Sequence, residues 1–316
     1  MTLAWIIGAG GMFGAALRRT LARAQTPVFV PEKRFDWNDE GYVARQLEAA
    51  TEAFAALVSP GQCWEIYWAA GLGTMASSAD SMARETRLIE RLLAALGEQS
   101  TLLQSEGTLA LASSAGAIYA GSAAEVITEA TATAPTTEYA RGKLEQERRV
   151  ADFVAAHFRT RAVIGRIATL YGSQPRIEKR QGLIAEMTRR VILNQPIHIY
   201  VPLDTIRDYL AVDDAADAMI ALARARVGGS RVPMKIIASE QATTISEITA
   251  TFKRVAHRMP RIVTSSSSLT GIYRRRIQFR SNMAAFADVW PRTSLTLGVS
   301  RLLAAERLAF ARLGRF

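Results

Sequence analysis

The sequence predicts an α/β fold, a Rossmann-like doubly wound parallel sheet with a smaller C-terminal lobe. Three observations point to it. An apolar run at the N-terminus ends in a glycine turn, Gly8, Gly11 and Gly14, that opens a helix. Short apolar runs then alternate with helical patterns as far as residue 172. Alternation of this length lays helices on both faces of a parallel sheet. Finally, a Tyr and a Lys, Tyr139 and Lys143, stand one helical turn apart downstream of the turn.

Taken in order, residues 2–7 are apolar and stop at glycine, as a buried strand does. Residues 15–22 follow as a helix, and 28–30, Val-Phe-Val, as a second strand. Residues 36–57 start polar and pass into a helical pattern. Next come a strand at 64–70, a long helix at 80–96 and a strand at 108–112 that ends at Ser113. The helix at 139–157 carries Tyr139 and Lys143, and 161–167 is another strand. After Gly172 the rhythm changes. Residues 173–180 are polar and read as a loop. Helices are expected at 183–193, 213–226, 245–256 and 295–313, and strands at 197–201 and 234–238. Residues 260–280 read as irregular and basic, with Ser265 to Ser268 a loop signal. The expected division is a Rossmann domain over 1–172 and a mainly substrate-binding lobe over 173–316, with 207–238 returning to the first.

The chain has 316 residues, 49% of them hydrophobic, enough for a packed core. Its one cysteine, Cys63, excludes an internal disulfide and gives no argument for secretion. Cys63 is read as a small buried residue, and Trp64 and Trp68 as packing. No apolar run approaches the ~18 residues of a membrane span, so a cytoplasmic protein without a membrane partner is expected. The formal charge is +10, from 39 basic and 29 acidic residues. That balance suits an anionic ligand. The densest basic run, Arg274, Arg275 and Arg276 with Arg280, reads as a solvated face, because no nucleic-acid-binding motif accompanies it. His157, His198 and His257 are scattered, and no metal site is expected.

The glycine turn carries the first chemistry. Gly8, Gly11 and Gly14, with Met12 and Phe13 inside the turn, follow a strand and precede the helix at 15–22, and Met12 and Phe13 are expected at the cofactor with them. Glycine lets the backbone approach a pyrophosphate, and the helix N-terminus offers free N–H groups and a positive dipole end. This predicts a dinucleotide cofactor, NADP or NAD. An acid at the end of the second strand bonds the ribose hydroxyls in NAD sites. Here Glu32 fits NAD, whereas Lys33, Arg34 or Arg18 fits the 2′-phosphate of NADP, with the balance toward NADP. Asp36 is placed near the adenine.

Tyr139 and Lys143 project from one helix face. A phenol ordinarily loses its proton near pH 10, and a neighbouring ammonium favours the phenolate, which makes a tyrosine usable as an acid/base at neutral pH.

These pieces resemble an extended short-chain dehydrogenase/reductase of the NAD-dependent epimerase/dehydratase type. The matching residues are Gly8, Gly11 and Gly14; Ala69, Ala70 and Gly71 after a strand; Ser113 and Ser114 leading to Tyr119; and Tyr139 with Lys143. Further on come Arg166 through Gly172 and the run from Arg207 to Asp214. The resemblance spans nearly the whole chain. It implies Tyr139 as acid/base, Lys143 as its electrostatic partner and nicotinamide-ribose contact, and a Ser or Thr holding the substrate oxygen. Ala69, Ala70 and Gly71 are implied at the cofactor, and Tyr119 at the substrate. Arg207 is implied at the diphosphate of a nucleotide-sugar substrate. A homodimer is one assembly that the resemblance admits.

The chain departs from the family pattern at one slot. The usual catalytic Ser/Thr position is Ala115 here, so Ser114 takes the role, with Ser113 behind it. The residues after Ser114 also lack the Asp-Glu pair of 4,6-dehydratases and the Glu of related decarboxylases. Epimerisation and ketone reduction remain open. The short stretch between the second strand and Asp36 resembles NADP-linked 4-keto sugar-nucleotide reductases, whereas 196–214 resembles the epimerases. A non-catalytic nicotinamide-binding regulator is the alternative class, and the intact Tyr139 and Lys143 argue against it.

Overall fold

Continuous apolar runs become strands here because helices cover both faces of the sheet they build. The computed structural model describes residues 2–71, 73–173, 182–225, 229–258, 260–264, 275–283 and 293–312. β1 (Leu3–Ile7) and β3 (Trp64–Trp68) are buried at every position. β4 (Gly107–Ser114), β5 (Thr160–Ile167) and β9 (Met234–Ile237) are buried along most of their length. With β2 (Val28–Phe29) they form a six-stranded sheet in the order β2-β1-β3-β4-β5-β9, parallel at every pairing.

The two-residue period of a strand divides the side chains between two cores. Trp5 and Ile7 of β1 point to one face, among Phe54, Trp64, Leu92 and Val154. That face is covered by α2 (Glu40–Leu57), α3 (Ala79–Gly97), the short α4 (Ser100–Gln104) and α6 (Glu138–Ala156). Ala4 and Ile6 point to the other, among Leu17, Leu21, Met219 and Leu222. There α1 (Met12–Arg23) packs against α8 (Val212–Arg224). The helix start at Met12 lies three residues before the periodicity suggests, since Gly14 lets the first turn sit directly on the strand end.

No strand intervenes between β2 and α2, so β2 is the sheet edge. From β1 the chain runs outward to β2 and then returns to β3 on the other side. This reversal opens a crevice at the carboxyl ends of β1 and β3, the place where open α/β sheets bind ligands.

A second core lies outside the sheet. α7 (Leu183–Ile192), α9 (Ile245–Ala256) and α10 (Leu295–Arg312) gather Met187, Ile248, Phe252, Val299 and Leu302. α9 opens with a reciprocal capping box between Thr244 and Glu247. α10 docks on β6 (Thr169–Tyr171) through Gly298, where a Cβ would lie 2.0 Å from the Tyr171 hydroxyl. β6 joins β8 (Ile206–Ala211) and β10 (Ala242–Thr244) in a three-stranded sheet. β8 therefore pairs outside the main sheet, while α8 and β9 pack on it or within it.

Two expectations are corrected. Residues 260–280 are not wholly irregular: β11 (Ile262–Thr264) pairs with β7 (Ile197–Ile199), and Arg276 and Phe279 bridge to Ile206 and Ile127. Those pairings are between distant segments, which local sequence does not announce. Cys63 is exposed, because it stands just before β3, outside the buried register. Residues 174–180, Ser265 to Ser268, Arg274 and residue 313 lie outside the described residues.

Candidate active site

The glycine turn is a close junction of three backbone segments. Gly8 has φ +93°, in the left-handed region, and a Cβ on it would lie 2.6 Å from the Ala70 nitrogen. A Cβ on Gly14 would lie 2.2 Å from the Gly8 carbonyl oxygen. Glycine at both positions lets β1, the end of β3 and the start of α1 meet. The Gly11 N–H donates to the Gly8 carbonyl at 3.0 Å. Gly10 and Gly11 are exposed, and the space where a Gly10 Cβ would stand is empty to 4 Å. α1 has no side-chain cap and no acid in its first turn. Its N–H groups and dipole end are open to an anion, and the cradle fits a dinucleotide pyrophosphate. Met12 is half-buried, and Phe13 belongs to the core beneath the turn, so Phe13 reaches the cradle only through its backbone.

Glu32, Lys33 and Arg34 are exposed in the loop after β2. Gln46 of α2 pins that loop, accepting from the Asp36 N–H and donating to the Arg34 carbonyl, both at 2.9 Å. The Asp36 carboxylate accepts from the Asn38 backbone and side chain at 3.1 Å, closing a turn. At the end of β3, Ala69 and Ala70 are half-buried and Gly71 is exposed beside the turn.

α6 brings in Tyr139 and Lys143. Thr137 caps the helix by accepting from the Ala140 N–H. Tyr139 is half-buried; Lys143 is only 5% exposed. The Lys143 ammonium donates to Gln146 Oε1 at 2.9 Å and lies 3.7 Å from Glu85 Oε2 on α3. It stands 5.7 Å from the centroid of the Tyr139 ring.

Ser114, Tyr139, Thr169, Arg207 and Asp208 line one cavity of about 150 Å³, together with Met75 and Phe279. Ala115 does not face it. That residue opens α5 (Ala115–Ile118) and is buried in the small core with Ile127 and Ile277. The pleat turns Ser113 the other way, and its buried hydroxyl donates to Glu147 Oε1 at 2.6 Å. Glu147 is held in turn by Arg166 through contacts of 2.6–3.2 Å. Ser113 thus faces away from the cavity that Ser114 lines. Tyr119 likewise does not line the cavity. It is fully buried, and its hydroxyl accepts from Arg166 Nη1 at 2.6 Å. Burial pushes that phenol above its usual range.

Arg207 is half-buried on the cavity wall, and its Nη1 donates to the Ile206 carbonyl at 2.7 Å. Asp213 is engaged elsewhere, with Arg19 at 2.5 Å. Asp208 is buried, accepts from the Ser239 N–H at 2.7 Å, and desolvation pushes its carboxyl up to about 6.

A family model described as the NAD dependent epimerase/dehydratase family matches residues 4–233, from β1 to the threshold of β9. The chain belongs to that family. Its fold is similar to UDP-glucose 4-epimerase from Thermotoga maritima, solved with UDP-glucose. The TM-score is 0.80 at 18% identity, covering 98% of this chain and 100% of that one. It is also similar to UDP-glucose 4-epimerase of Thermus thermophilus in complex with NAD. There the TM-score is 0.78 at 18% identity, covering 97% and 99% of the two chains. RMD from Pseudomonas aeruginosa, complexed with NADPH, gives 0.75 at 21% identity, covering 96% and 98%. Among curated proteins nothing matches this chain.

Sequence reasoning missed several side chains that contact Lys143 and Ser113. Gln146 and Glu147 carried a signal, since they stand three and four residues after Lys143 and so share its helix face. Three polar residues on a face that points at the sheet have to be holding something. Glu85 carried none, because nothing local in α3 marks it. Among the described residues no helix is long and apolar enough to cross a membrane, and no cluster of His, Cys, Asp and Glu could hold a metal.

Proposed function

We propose that this protein is a nicotinamide-dependent enzyme that transfers hydride at a sugar carbon of a nucleotide sugar, with Tyr139 as the acid/base. One observation carries the reading. Tyr139 from α6, Ser114 from β4 and Arg207 from β8 line the same small cavity, with Lys143 one helical turn from Tyr139.

The glycine cradle and the α1 N-terminus would hold the pyrophosphate, with Ala69, Ala70 and Gly71 alongside and Lys143 at the nicotinamide ribose. The cofactor, when bound, supplies or accepts the hydride. The Tyr139 hydroxyl exchanges a proton with the sugar oxygen, and Ser114 hydrogen-bonds that oxygen. Lys143 sets a positive charge where the phenol develops negative charge. Arg207 meets the diphosphate, for which a planar guanidinium offers two donors at once. The UDP-glucose, NAD and NADPH named with the similar structures support this substrate and cofactor class.

A second reading is an NADPH-dependent 4-keto sugar-nucleotide reductase. It is favoured by the abrupt sheet edge at β2 and by the exposed Lys33 and Arg34 beside it. Cofactor retained through purification supports an epimerase, and an empty protein that takes up NADPH supports a reductase. Tyr139→Phe is expected to lower turnover by ~10²–10⁴ while leaving cofactor binding intact. Turnover within a factor of a few of the parent refutes the acid/base role. Arg207→Ala is expected to raise the KM for the nucleotide sugar tenfold or more, without changing cofactor affinity. A mutant that melts earlier but binds substrate as the parent does assigns Arg207 to the scaffold.

A further inference from the structure

We propose that Glu85 is a positioning residue of the site, tying the Lys143 ammonium to the turn after β3 so that both are preorganised for the cofactor. The proposal rests on the reading of Lys143 as the cofactor-contacting ammonium.

Glu85 enters the site from α3, the helix packed beside α6. Its side chain is 15% exposed and that of Lys143 is 6%. Long charged side chains rarely withdraw from water this far unless they are paired. The two carboxylate oxygens do different things. Oε1 accepts from the Gly73 N–H at 2.7 Å, while Oε2 lies 3.7 Å from the Lys143 ammonium.

The turn joins these contacts to the acid/base. A Cβ on Gly71 would lie 3.4 Å from Glu85 Oε2 and 3.6 Å from Lys143 Nζ, so three groups converge on one point. A Cβ on Gly73 would lie 2.8 Å from the edge of the Tyr139 ring and 2.8 Å from Met82 Sδ. The backbone that Glu85 holds is therefore the backbone against which the Tyr139 ring rests. Glu85 does not line the 150 Å³ cavity. It acts through Lys143 and the turn. Gln146 Oε1 accepts the ammonium's hydrogen bond at 2.9 Å while Glu85 pairs with it across 3.7 Å, so the charge is held from two sides. Fixing a charge before the ligand arrives removes the ordering cost at binding.

A double-mutant cycle read by cofactor affinity tests this. NADH and NADPH are titrated by their own fluorescence against the full-length protein, and the tighter one is kept as probe. Glu85→Gln keeps the acceptor for the Gly73 N–H and removes the charge; Glu85→Ala removes both. Each is combined with Lys143→Met, and melting temperatures are recorded in parallel. Glu85→Gln is expected to weaken the probe roughly three- to tenfold, and Glu85→Ala more. In the Lys143→Met background, Glu85→Gln is expected to change affinity by less than about twofold, as coupled residues do. Parent affinity in Glu85→Gln overturns the proposal. So does an effect of the same size with and without Lys143, which is the signature of a helix-to-helix tie with no bearing on the ammonium. If Lys143→Met alone binds the probe as the parent does, the reading of Lys143 fails and the proposal falls with it. If Lys143→Met weakens binding and Glu85→Gln does not, only the proposal fails. Should Glu85→Ala not fold, the Gln variant decides.

Discussion

Ser113 and Ser114 leave β4 on opposite faces, and the pleat alone decides which of them faces the cavity. Ser114 faces the cavity; Ser113 closes the Glu147–Arg166 network behind it. Asp208 shows the same sensitivity to its surroundings in another form. Its carboxyl sits at about 6 in the fold, against about 4 in an unfolded chain, because burial disfavours the charge. Between those values the folded protein holds the proton more tightly than the unfolded chain does. Stability therefore falls as pH rises from about 4 to 6, by up to about 3 kcal/mol for a shift of this size, and the penalty persists above pH 6. Asp208→Asn keeps an oxygen for the Ser239 N–H and removes the charge. It is expected to be the more stable protein at pH 7.5 by urea denaturation, with the advantage fading toward pH 4. A variant weaker than the parent at both pH values would show that the buried charge is stabilised by contacts Asn does not reproduce.

At the level of elements, the β1–α1 unit separates two uses of glycine. Gly14 is glycine because a Cβ would strike the Gly8 carbonyl oxygen, whereas Gly10 has open space where its Cβ would be. Gly14→Ala is expected to lower the melting temperature of the cofactor-free protein, since overpacking a close contact costs about 1–3 kcal/mol. Gly10→Ala is expected to leave that temperature within about 1 °C, because a surface substitution that meets nothing costs little. It should nonetheless weaken NADH and NADPH binding, because its methyl group enters the cradle. Unchanged affinity in Gly10→Ala would mean that the pyrophosphate does not pass over this turn. The caps of α3, α6 and α9, made by Ser78, Thr137 and Thr244, belong to the same level. Each is a short polar residue accepting from an N–H of its helix's first turn.

At the scale of the whole molecule the described residues gather several hydrophobic cores, and the sheet core and the second core share a strand. β8 belongs to both: Leu210 packs in the sheet core with α1 and α8, and Tyr209 packs in the second core with α7, α9 and α10. Arg207 and Asp208 are thereby set on the cavity by a strand anchored on either side. Phe252 is fully buried at the centre of the second core. Phe252→Ala is expected to cost about 3–5 kcal/mol. Nucleotide-sugar affinity should fall with it, while NADH or NADPH affinity, carried by β1 and α1, changes by less than about twofold. Equal losses of both affinities would show that the two cores do not respond separately.

The sequence by itself determined the parallel sheet, the glycine cradle and the Tyr139/Lys143 pair. Each is written in residues close together in the chain. A strand running into glycine, a two-residue alternation and a four-residue helical spacing are local geometry, and local geometry is legible. It also carried the short path from β2 to α2, which leaves no room for another strand. Only the tertiary structure decided which serine faces the cavity, that Tyr119 is sealed behind Arg166, that residues 262–264 pair with β7, and that Arg276 and Phe279 bridge to Ile206 and Ile127. It also brought Glu85 to Lys143, a meeting between helices 58 positions apart in the chain (143 − 85). Such contacts depend on how helices dock against a shared sheet. That docking is fixed by the shape and volume of two packed cores, and no spacing within either helix records it.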